Sequence, residues 1–317
     1  METITCIFCG SSSSSVAISE NAYQGIKCPN CDLIYISQRP SANEIRQLYS
    51  DQHAVLYADA QFQFEEFKKM EASRTLSKIK KYRKGGSLLE LGSGGGFFLL
   101  QARNCRFEPY GIELNPIEAR WINENLLIPC ETAALSKDSF GGRQFDIIYH
   151  KDVLSHLYDP IGVFRDINLA LKMNGLLVFE TGNIADVKNK YYKWFSQFSY
   201  PDHLFFFGEK SLSILLERTG FKIIFVYKDA ILLQLILQKI LWKTKDSLKD
   251  KKVVEVMRSK KDLDLDAKSP TSIKRRLRHM YRYASYFSTK LGAFLPKDGW
   301  PLKLLVIAEK KSDSGQK

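Results

Sequence analysis

A turn of five small residues between two apolar segments is the first place where this chain could bind a ligand. The sequence LLELGSGGGFFLL runs from Leu88 to Leu100, with the small residues at positions 92 to 96. Glycine allows backbone angles that other residues disfavour, and the missing side chains let a ligand approach the main chain. The pattern therefore predicts a nucleotide-like ligand at a turn between a strand and a helix.

The spacing of the glycines argues against a nicotinamide dinucleotide. A G-x-G-x-x-G fingerprint counted from Gly92 and Gly94 needs a third glycine at the position of Phe97. The spacing that fits is Gly92, Gly94 and Gly96, preceded by Glu90. This E-x-G-x-G-x-G pattern resembles the first motif of class I S-adenosylmethionine (SAM) dependent methyltransferases. The resemblance implies that SAM is bound by Glu90, Gly92, Ser93, Gly94 and Gly96.

A second short strand, PYGIEL from Pro109 to Leu114, ends in an acidic residue at the distance that a βαβ unit requires. Glu113 is therefore the candidate ribose ligand, because a carboxylate can accept hydrogen bonds from both ribose hydroxyls. Leu114 would lie against the adenine ring. Asn115 and Pro116 are residues typical of a helix cap and of a first helical position, so a helix is expected to begin there.

The segment FDIIYHKDVLSHLYDP, from Phe145 to Pro160, is an apolar strand followed by polar residues. It resembles the fourth-strand motif of the same enzymes, in which an F-D pair opens the strand and a V-L-x-H group follows it. The resemblance implies that the methionine end of SAM passes His150 to Asp152 and that His156 holds the loop. His150 is a candidate cofactor contact at the methyl side, and a buried, hydrogen-bonded structural histidine is the alternative.

The candidate base is His203, in the sequence YPDHLFFF. In the related methyltransferases the equivalent loop carries a similar H-L-x-F-F signature and closes over the methyl group. A hydroxyl acceptor needs a base, and Asp202 could orient the imidazole of His203. The alternative is that His203 only holds the loop by hydrogen bonding.

Two C-x-x-C pairs, formed by Cys6 with Cys9 and by Cys28 with Cys31, are separated by 18 residues. This spacing is typical of a structural zinc site, since four thiolates fill a tetrahedral shell and leave no open position. A ribbon of about 40 residues is too small to fold on its own core, so the metal would supply folding energy. Disulfide pairing is disfavoured because no leader pattern opens the chain and because the two remaining cysteines, Cys105 and Cys130, fall within the predicted core, which suits a reducing cytoplasm.

The sequence after the second pair, CDLIYISQRPSANEIRQLY, resembles zinc-ribbon methyltransferases of bacterial surface-glycan and other sugar-modifying pathways. The matching residues are Arg39, Pro40, Ser41 and Tyr49, and Ser41 with Glu44 forms a candidate capping box. Deoxysugar C-methyltransferases share the ribbon and the core, but no third domain of their kind follows Lys228. This difference favours methylation of oxygen over carbon.

Strand and helix patterns alternate along the chain, which predicts a Rossmann-like, doubly wound α/β sheet with its ligand at the carboxyl ends of the strands. The last strand, from Leu302 to Lys311, is expected to be antiparallel if the family pattern holds. The predicted domains are a zinc ribbon (1–40), a helical linker (41–85), the SAM-binding core (86–228), a basic helical insertion (229–300) and the last strand with a tail (301–317).

The net charge of +12 lies mostly after the core, because residues 229–317 contain 21 Lys and Arg against 10 Asp and Glu. An apolar stripe from Ile273 to Leu291 predicts an amphipathic helix with a basic face. Such a helix could dock on the enzyme, lie on an anionic membrane or meet phosphates. The apolar run from Ala230 to Trp242 is too short to span a bilayer.

These observations together predict a cytoplasmic SAM-dependent methyltransferase that acts on a sugar hydroxyl of a glycan precursor, with contact to a membrane surface through the basic helix left open. A rival prediction is an RNA methyltransferase, although the ribbon from Cys6 to Cys31 contains only one basic residue, Lys27. A nucleic-acid partner is therefore not expected. A deoxysugar C-methyltransferase and a SAM-binding protein without turnover are two further possibilities.

Overall fold

The computed structural model describes residues 1–48, 65–237, 239 and 298–311. Its contacts divide the chain into two compact units. The first unit contains Met1–Asp186, Gln197–Lys228 and Lys303–Lys317, and the second contains Val187–Ser196 and Asp229–Leu302. The second unit includes the predicted basic insertion, whose amphipathic stripe from Ile273 to Leu291 lies outside the described residues.

The described part of the chain begins with five short strands, after which strands and helices mostly alternate. The strands are β1 (Glu2–Thr3), β2 (Val16–Glu20), β3 (Tyr23–Lys27), β4 (Ile34–Ile36), β5 (Gln38–Arg39), β6 (Gly86–Leu91), β7 (Phe107–Ile112), β8 (Cys130–Glu131), β9 (Phe145–Lys151), β10 (Leu171–Gly182), β11 (Phe205–Phe206), β12 (Phe221–Ala230) and β13 (Leu302–Lys310). The α-helices are α1 (Ala42–Leu48), α2 (Glu65–Ile79), α3 (Phe97–Asn104), α4 (Pro116–Trp121), α5 (Pro160–Ala170), α6 (Asn189–Tyr192) and α7 (Glu209–Arg218).

The central sheet has seven strands in the order β12-β13-β10-β9-β6-β7-β8. Strands β10, β9, β6, β7 and β8 pair in parallel, and β13 pairs with β10 in antiparallel fashion. The fold is therefore a mixed α/β fold with a mostly parallel sheet, as the alternating pattern predicts. The expected antiparallel last strand is confirmed, with Gly182 opposite Lys303 and Leu176 opposite Glu309.

The parallel strands are buried because helices cover the sheet, which explains their continuous apolar sequences. Leu88, Ile147 and Val178, from three neighbouring strands, belong to one core cluster with residues of α2 and α3. Phe98 of α3 stacks on Tyr149 of β9 with ring centroids 3.9 Å apart. This packing holds α3, the helix that follows the glycine turn, against the neighbouring strand β9.

Several helix starts follow the local signals in the sequence. The Asn115 side chain accepts a hydrogen bond from the Ile117 N–H, and Pro116 is the first residue of α4. Ser41 and Glu44 form the expected reciprocal bonds at the start of α1, in which the Ser41 N–H donates to Glu44 Oε2 at 2.8 Å. The end of β7 differs by two residues from the prediction, so that Glu113 lies just beyond the strand.

The cysteine-rich segment forms a small sheet that includes a strand from far along the chain. Its order is β11-β4-β3-β2, with β11 antiparallel to β4. Phe205 lies opposite Tyr35, and Phe206 lies opposite Ile34. Strand β11, which follows His203 by two residues, is therefore part of the ribbon sheet. The predicted ribbon domain, which ended at residue 40, did not include this strand.

Within the part of the chain that the structure describes, no helix has both the length and the apolar character needed to cross a membrane.

Candidate functional site

The glycine turn follows β6 and bends sharply toward α3. Gly92, Gly94 and Gly96 have φ angles of +69°, +50° and +74°, a region that favours glycine. A Cβ atom at Gly96 would lie 2.7 Å from Leu126 and 2.8 Å from Ile122. The backbone therefore needs glycine both for its conformation and for close packing.

The turn is tied to the end of the neighbouring strand β7. The N–H groups of Gly92 and Ser93 donate to the Ile112 carbonyl at 2.8 and 3.2 Å. The Ser93 hydroxyl, which is buried, donates to the carbonyls of Glu90 and Ile112. Ser93 thus stabilises the turn from inside, which is a structural role beside the predicted cofactor contact.

Glu113 lies at the carboxyl end of β7 and joins the turn to the next helix. Its Oε2 accepts a hydrogen bond from the Gly94 N–H at 2.7 Å, and its Oε1 accepts one from the Asn115 N–H at 2.9 Å. A carboxylate has about four acceptor positions, so each oxygen retains capacity for a further donor. Glu113 is therefore oriented at the mouth of the turn with acceptor sites left for two hydroxyl groups.

Two buried carboxyl groups accompany Glu113. Burial, and next the charge of Glu113, raise the pKa of Glu90 well above its ordinary value, and the Glu90 Oε2 atom has no hydrogen-bond partner among the described residues. The same two causes raise the pKa of Glu118 to about 7, and Glu118 Oε1 is also unpartnered in the described chain. Sequence reasoning missed Glu118, which lies on the buried face of α4. Unsatisfied buried carboxyl groups here indicate a ligand with positive charge or hydrogen-bond donors.

The two remaining predicted cofactor contacts have different surroundings. His150 is 1% exposed, stacks on Phe179 at 5.1 Å and meets the edge of Phe164. Burial lowers its pKa to about 3, so the imidazole is neutral. Neither ring nitrogen of His150 has a hydrogen-bond partner among the described residues, so the hydrogen bonds of the structural alternative are not formed by this part of the chain. Leu114 is 61% exposed.

The four predicted metal ligands lie together. The donor atoms of Cys6, Cys9, Cys28 and Cys31 are all within 4.8 Å of one another. The Sγ atoms of Cys6 and Cys31 are 3.4 Å apart, and those of Cys9 and Cys28 are 3.5 Å apart. These distances exclude disulfide bonds, which need about 2 Å. They are close to the separation of about 3.8 Å that a tetrahedral ion with Zn–S bonds of about 2.3 Å would set.

The loop that carries His203 is held by the ribbon sheet. The Ile36 N–H donates to the Leu204 carbonyl at 3.1 Å, and the Leu204 N–H donates to the Ser155 carbonyl at 2.7 Å. Glu20 of β2 accepts from the N–H groups of Phe198 and Tyr200, one on each carboxylate oxygen, both at 2.8 Å. The ribbon therefore orders the backbone on both sides of His203.

His203 lies beside His156 and Asp202. The imidazole rings of the two histidines are 4.6 Å apart at 74°, and Asp202 Oδ1 lies 3.1 Å from His156 Nδ1. Asp202 is therefore a hydrogen-bond partner of His156. The sequence predicted only that Asp202 orients His203. Burial, and next the charge of His156, lower the pKa of His203, and its Nδ1 atom has no partner among the described residues.

A second group of charged residues near the strand ends was not anticipated from the sequence. Glu180 of β10 accepts from Thr75 at 2.6 Å and from Tyr149 at 2.9 Å, and its other oxygen lies 2.6 Å from Lys303 Nζ. Burial alone would raise the pKa of Glu180, but the charges of Lys303 and Lys151 outweigh it and lower the pKa. The contacts of Glu180 therefore join α2, β9, β10 and β13.

The strand order, the glycine turn and the acidic residue after β7 together define a Rossmann-like α/β protein with a ligand site at the strand ends. Comparison with known families agrees with this geometry. The family model described as "Methyltransferase domain" matches residues 64–226, which are 163 of the 317 residues. The chain therefore belongs to this methyltransferase family. No curated protein matches the chain in sequence.

Several solved structures are similar to this chain at low sequence identity. One is a coclaurine N-methyltransferase bound to N-methylheliamine and S-adenosylhomocysteine, with 12% identity, a TM-score of 0.48, and coverage of 76% of this chain and 70% of that chain. A phosphoethanolamine N-methyltransferase from Haemonchus contortus has 15% identity, a TM-score of 0.43, and coverage of 75% and 52%. A geranyl diphosphate methyltransferase in complex with SAM has 16% identity, a TM-score of 0.47, and coverage of 76% and 85%.

The contacts of Glu20 predict the effect of its removal. Glu20→Ala leaves the Phe198 and Tyr200 N–H groups without their acceptor, and hydrogen bonds to charged groups contribute about 1.5–3 kcal/mol each. We expect faster amide hydrogen exchange across residues 198–206, with exchange in β6 and β9 unchanged. Glu217→Ala, at an exposed position of α7, is the control. Unchanged exchange in residues 198–206 of Glu20→Ala would show that the ribbon does not order this loop.

Proposed function

We propose that this protein transfers a methyl group from SAM to a hydroxyl oxygen of a sugar in a nucleotide-linked or lipid-linked glycan precursor. The observation that carries the cofactor assignment is the orientation of Glu113, whose two oxygens are held by the Gly94 and Asn115 N–H groups. The choice of a sugar hydroxyl as acceptor is supported by the resemblance of residues 6–49 to sugar-modifying enzymes.

The charge around the turn supports SAM over a dinucleotide. Glu90, Glu113 and Glu118 place three carboxyl groups around the glycine turn, and two of them are buried with unpartnered oxygens. A pyrophosphate at this position would be repelled by the Glu113 carboxylate, and it would oppose ionisation of Glu90 and Glu118. The sulfonium and ammonium groups of SAM would instead supply positive charge that favours their ionised form. The residues present therefore fit the cofactor that the family implies.

Methyl transfer is an in-line displacement at carbon, so it depends mainly on the alignment of the acceptor oxygen with the methyl group. Bound SAM supplies an electrophilic methyl group on its sulfonium. In this proposal Glu113 would hold the ribose and Leu114 would cover the adenine of the cofactor. His203 Nδ1 is free of other described partners and accepts the hydroxyl proton. Asp202 and His156 hold the imidazole in place.

We also propose that Cys6, Cys9, Cys28 and Cys31 bind a structural Zn²⁺. Four cysteine donors within 4.8 Å of one another match the donor set that zinc prefers, and a closed thiolate shell leaves no position for substrate. The ion would stabilise the ribbon sheet and, through β4 and β11, the segment after His203.

We place the protein in the cytoplasm, where thiols stay reduced. Contact of the basic insertion with an anionic membrane surface belongs to the same proposal.

The Glu113 assignment predicts a selective loss of cofactor binding. Glu113→Ala removes the predicted ribose acceptor and the support of the turn, so we expect SAM affinity to fall at least about 100-fold, which corresponds to about 3 kcal/mol. Isothermal titration calorimetry with SAM, S-adenosylhomocysteine and a nicotinamide dinucleotide is the measurement. Glu124→Ala, at an exposed position, is the control. Retained SAM affinity in Glu113→Ala, or binding of the dinucleotide by the native protein, would contradict the assignment.

The carboxyl groups at the turn predict how SAM affinity depends on pH. Glu118 has a raised pKa of about 7, so below pH 7 a cationic ligand must displace its proton. SAM affinity should therefore increase between pH 6 and 8, by up to about tenfold per pH unit below the pKa. Glu118→Gln should reduce this dependence, and comparison of the two proteins removes the titration of SAM itself. An identical pH profile in both proteins would show that Glu118 does not interact with the cofactor.

The acceptor class is tested by incubating the native protein with cell extract and isotopically labelled SAM, with Glu113→Ala as the inactive control. We expect the label in a sugar-containing small molecule or lipid-linked glycan, as an acid-stable O-methyl group identified by mass spectrometry. Label on a sugar carbon would support a C-methyltransferase, and label in RNA would support an RNA methyltransferase. Tight SAM binding with no labelled product would indicate a binding protein without turnover.

A further inference from the structure

We propose that His156, Asp202 and His203 form a second metal site, which binds a divalent transition-metal ion through two imidazoles and one carboxylate. The inference starts from the positions of three donor atoms, one from each side chain, which lie within 4.8 Å of one another. It is separate from the cysteine cluster, which uses other residues and another donor type.

The backbone around these three residues is held in a fixed arrangement. His156 ends a short 3-10 turn, Leu154–His156, that follows β9, whereas Asp202 and His203 precede β11. The Leu204 N–H donates to the Ser155 carbonyl at 2.7 Å, which joins the two segments directly beside the ligands. The ligands therefore come from two chain segments whose register is already set, so little ordering is needed when an ion binds.

The distances suit a single ion. Bonds of about 2.0–2.2 Å from a metal to imidazole nitrogen and carboxylate oxygen place neighbouring ligand atoms about 3 to 3.5 Å apart. The separation of 3.1 Å between His156 Nδ1 and Asp202 Oδ1 already lies in that range. The imidazole rings are 4.6 Å apart at 74°, and the donor atom of His203 lies within 4.8 Å of the other two.

The three side chains offer an ion both a ligand atom without a hydrogen-bond partner and access from solvent. The Nδ1 atom of His203 is buried and has no hydrogen-bond partner among the residues that the structure describes. The side chains of His156 and Asp202 are 27% and 32% exposed, so an ion can reach them from solvent.

The donor set indicates the class of ion. Two nitrogens and one oxygen suit Zn²⁺, Co²⁺, Fe²⁺ or Ni²⁺, whereas Mg²⁺ and Ca²⁺ prefer oxygen ligands. Three protein ligands leave at least one coordination position open, in contrast to the four thiolates of the ribbon.

An ion and a proton compete for the same nitrogen of His203. This consequence rests on the proposed function: a bound ion would prevent His203 from acting as the base, so metal loading should inhibit methyl transfer.

The test uses the full-length protein loaded with one equivalent of Zn²⁺ to fill the cysteine cluster, and then titrated with Co²⁺ in the absence of SAM. We expect one further equivalent of Co²⁺ to bind, with weak visible absorption bands and no thiolate charge-transfer band in the near ultraviolet. His203→Ala should weaken this second site at least about 100-fold, because loss of outer-sphere partners alone typically costs 10- to 100-fold. The Zn²⁺ content of the ribbon should stay at one equivalent and shows that the variant is folded.

His156→Gln is the second variant, since glutamine retains a polar side chain of similar size. If either variant binds the second Co²⁺ as tightly as the native protein, or if the native protein binds only the first ion, the proposal is wrong. A thiolate charge-transfer band from the second ion would likewise overturn it by placing that ion on cysteine. These measurements need no acceptor or cofactor, so their failure is distinguishable from a failure of the proposed methyl transfer.

Discussion

The structure of the binding site depends on the pair of hydrogen bonds that Glu113 accepts from Gly94 and Asn115. These bonds join the turn after β6 to the start of α4, although the turn and the helix lie on different strand–helix connections. In a parallel sheet the carboxyl ends of neighbouring strands meet at one edge, which brings these groups within reach. The carboxylate then faces a turn whose backbone conformation only glycine tolerates easily.

The opposite side of the candidate site depends on a contact of another kind. The two-residue strand β11 has too few residues to hold a position by itself, and it is added to the edge of the ribbon sheet beside β4. Glu20 accepts two main-chain N–H groups just before His203, so the loop is bound to the ribbon at both ends. In this chain the ribbon is therefore part of the construction of the site and not a separate appended domain.

Local signals in the sequence predicted most of the central fold. Asn115 and Pro116 indicate a helix start by their own chemistry, and the apolar runs of β6, β9 and β10 indicate buried parallel strands. The four cysteines were correctly grouped because their spacing is local. Glu20 contacts Phe198 and Tyr200, which lie 178 and 180 positions further along the chain. A periodic pattern of apolar residues gives no information about a contact over such a distance in sequence. The same is true of Asp202 with His156 and of Glu180 with Lys303.

The shared sheet has a thermodynamic consequence for the proposed ribbon metal. A small ribbon gains much of its folding free energy from its ion, and the ribbon here shares main-chain hydrogen bonds with residues 198–206. Free energy that the ion supplies to β2, β3 and β4 therefore also favours the ordered form of that loop. Because coupling between two equilibria is reciprocal, a ligand that orders the loop must raise the metal affinity of the ribbon by the same factor. Metal retention and acceptor binding are then two measures of one folding equilibrium.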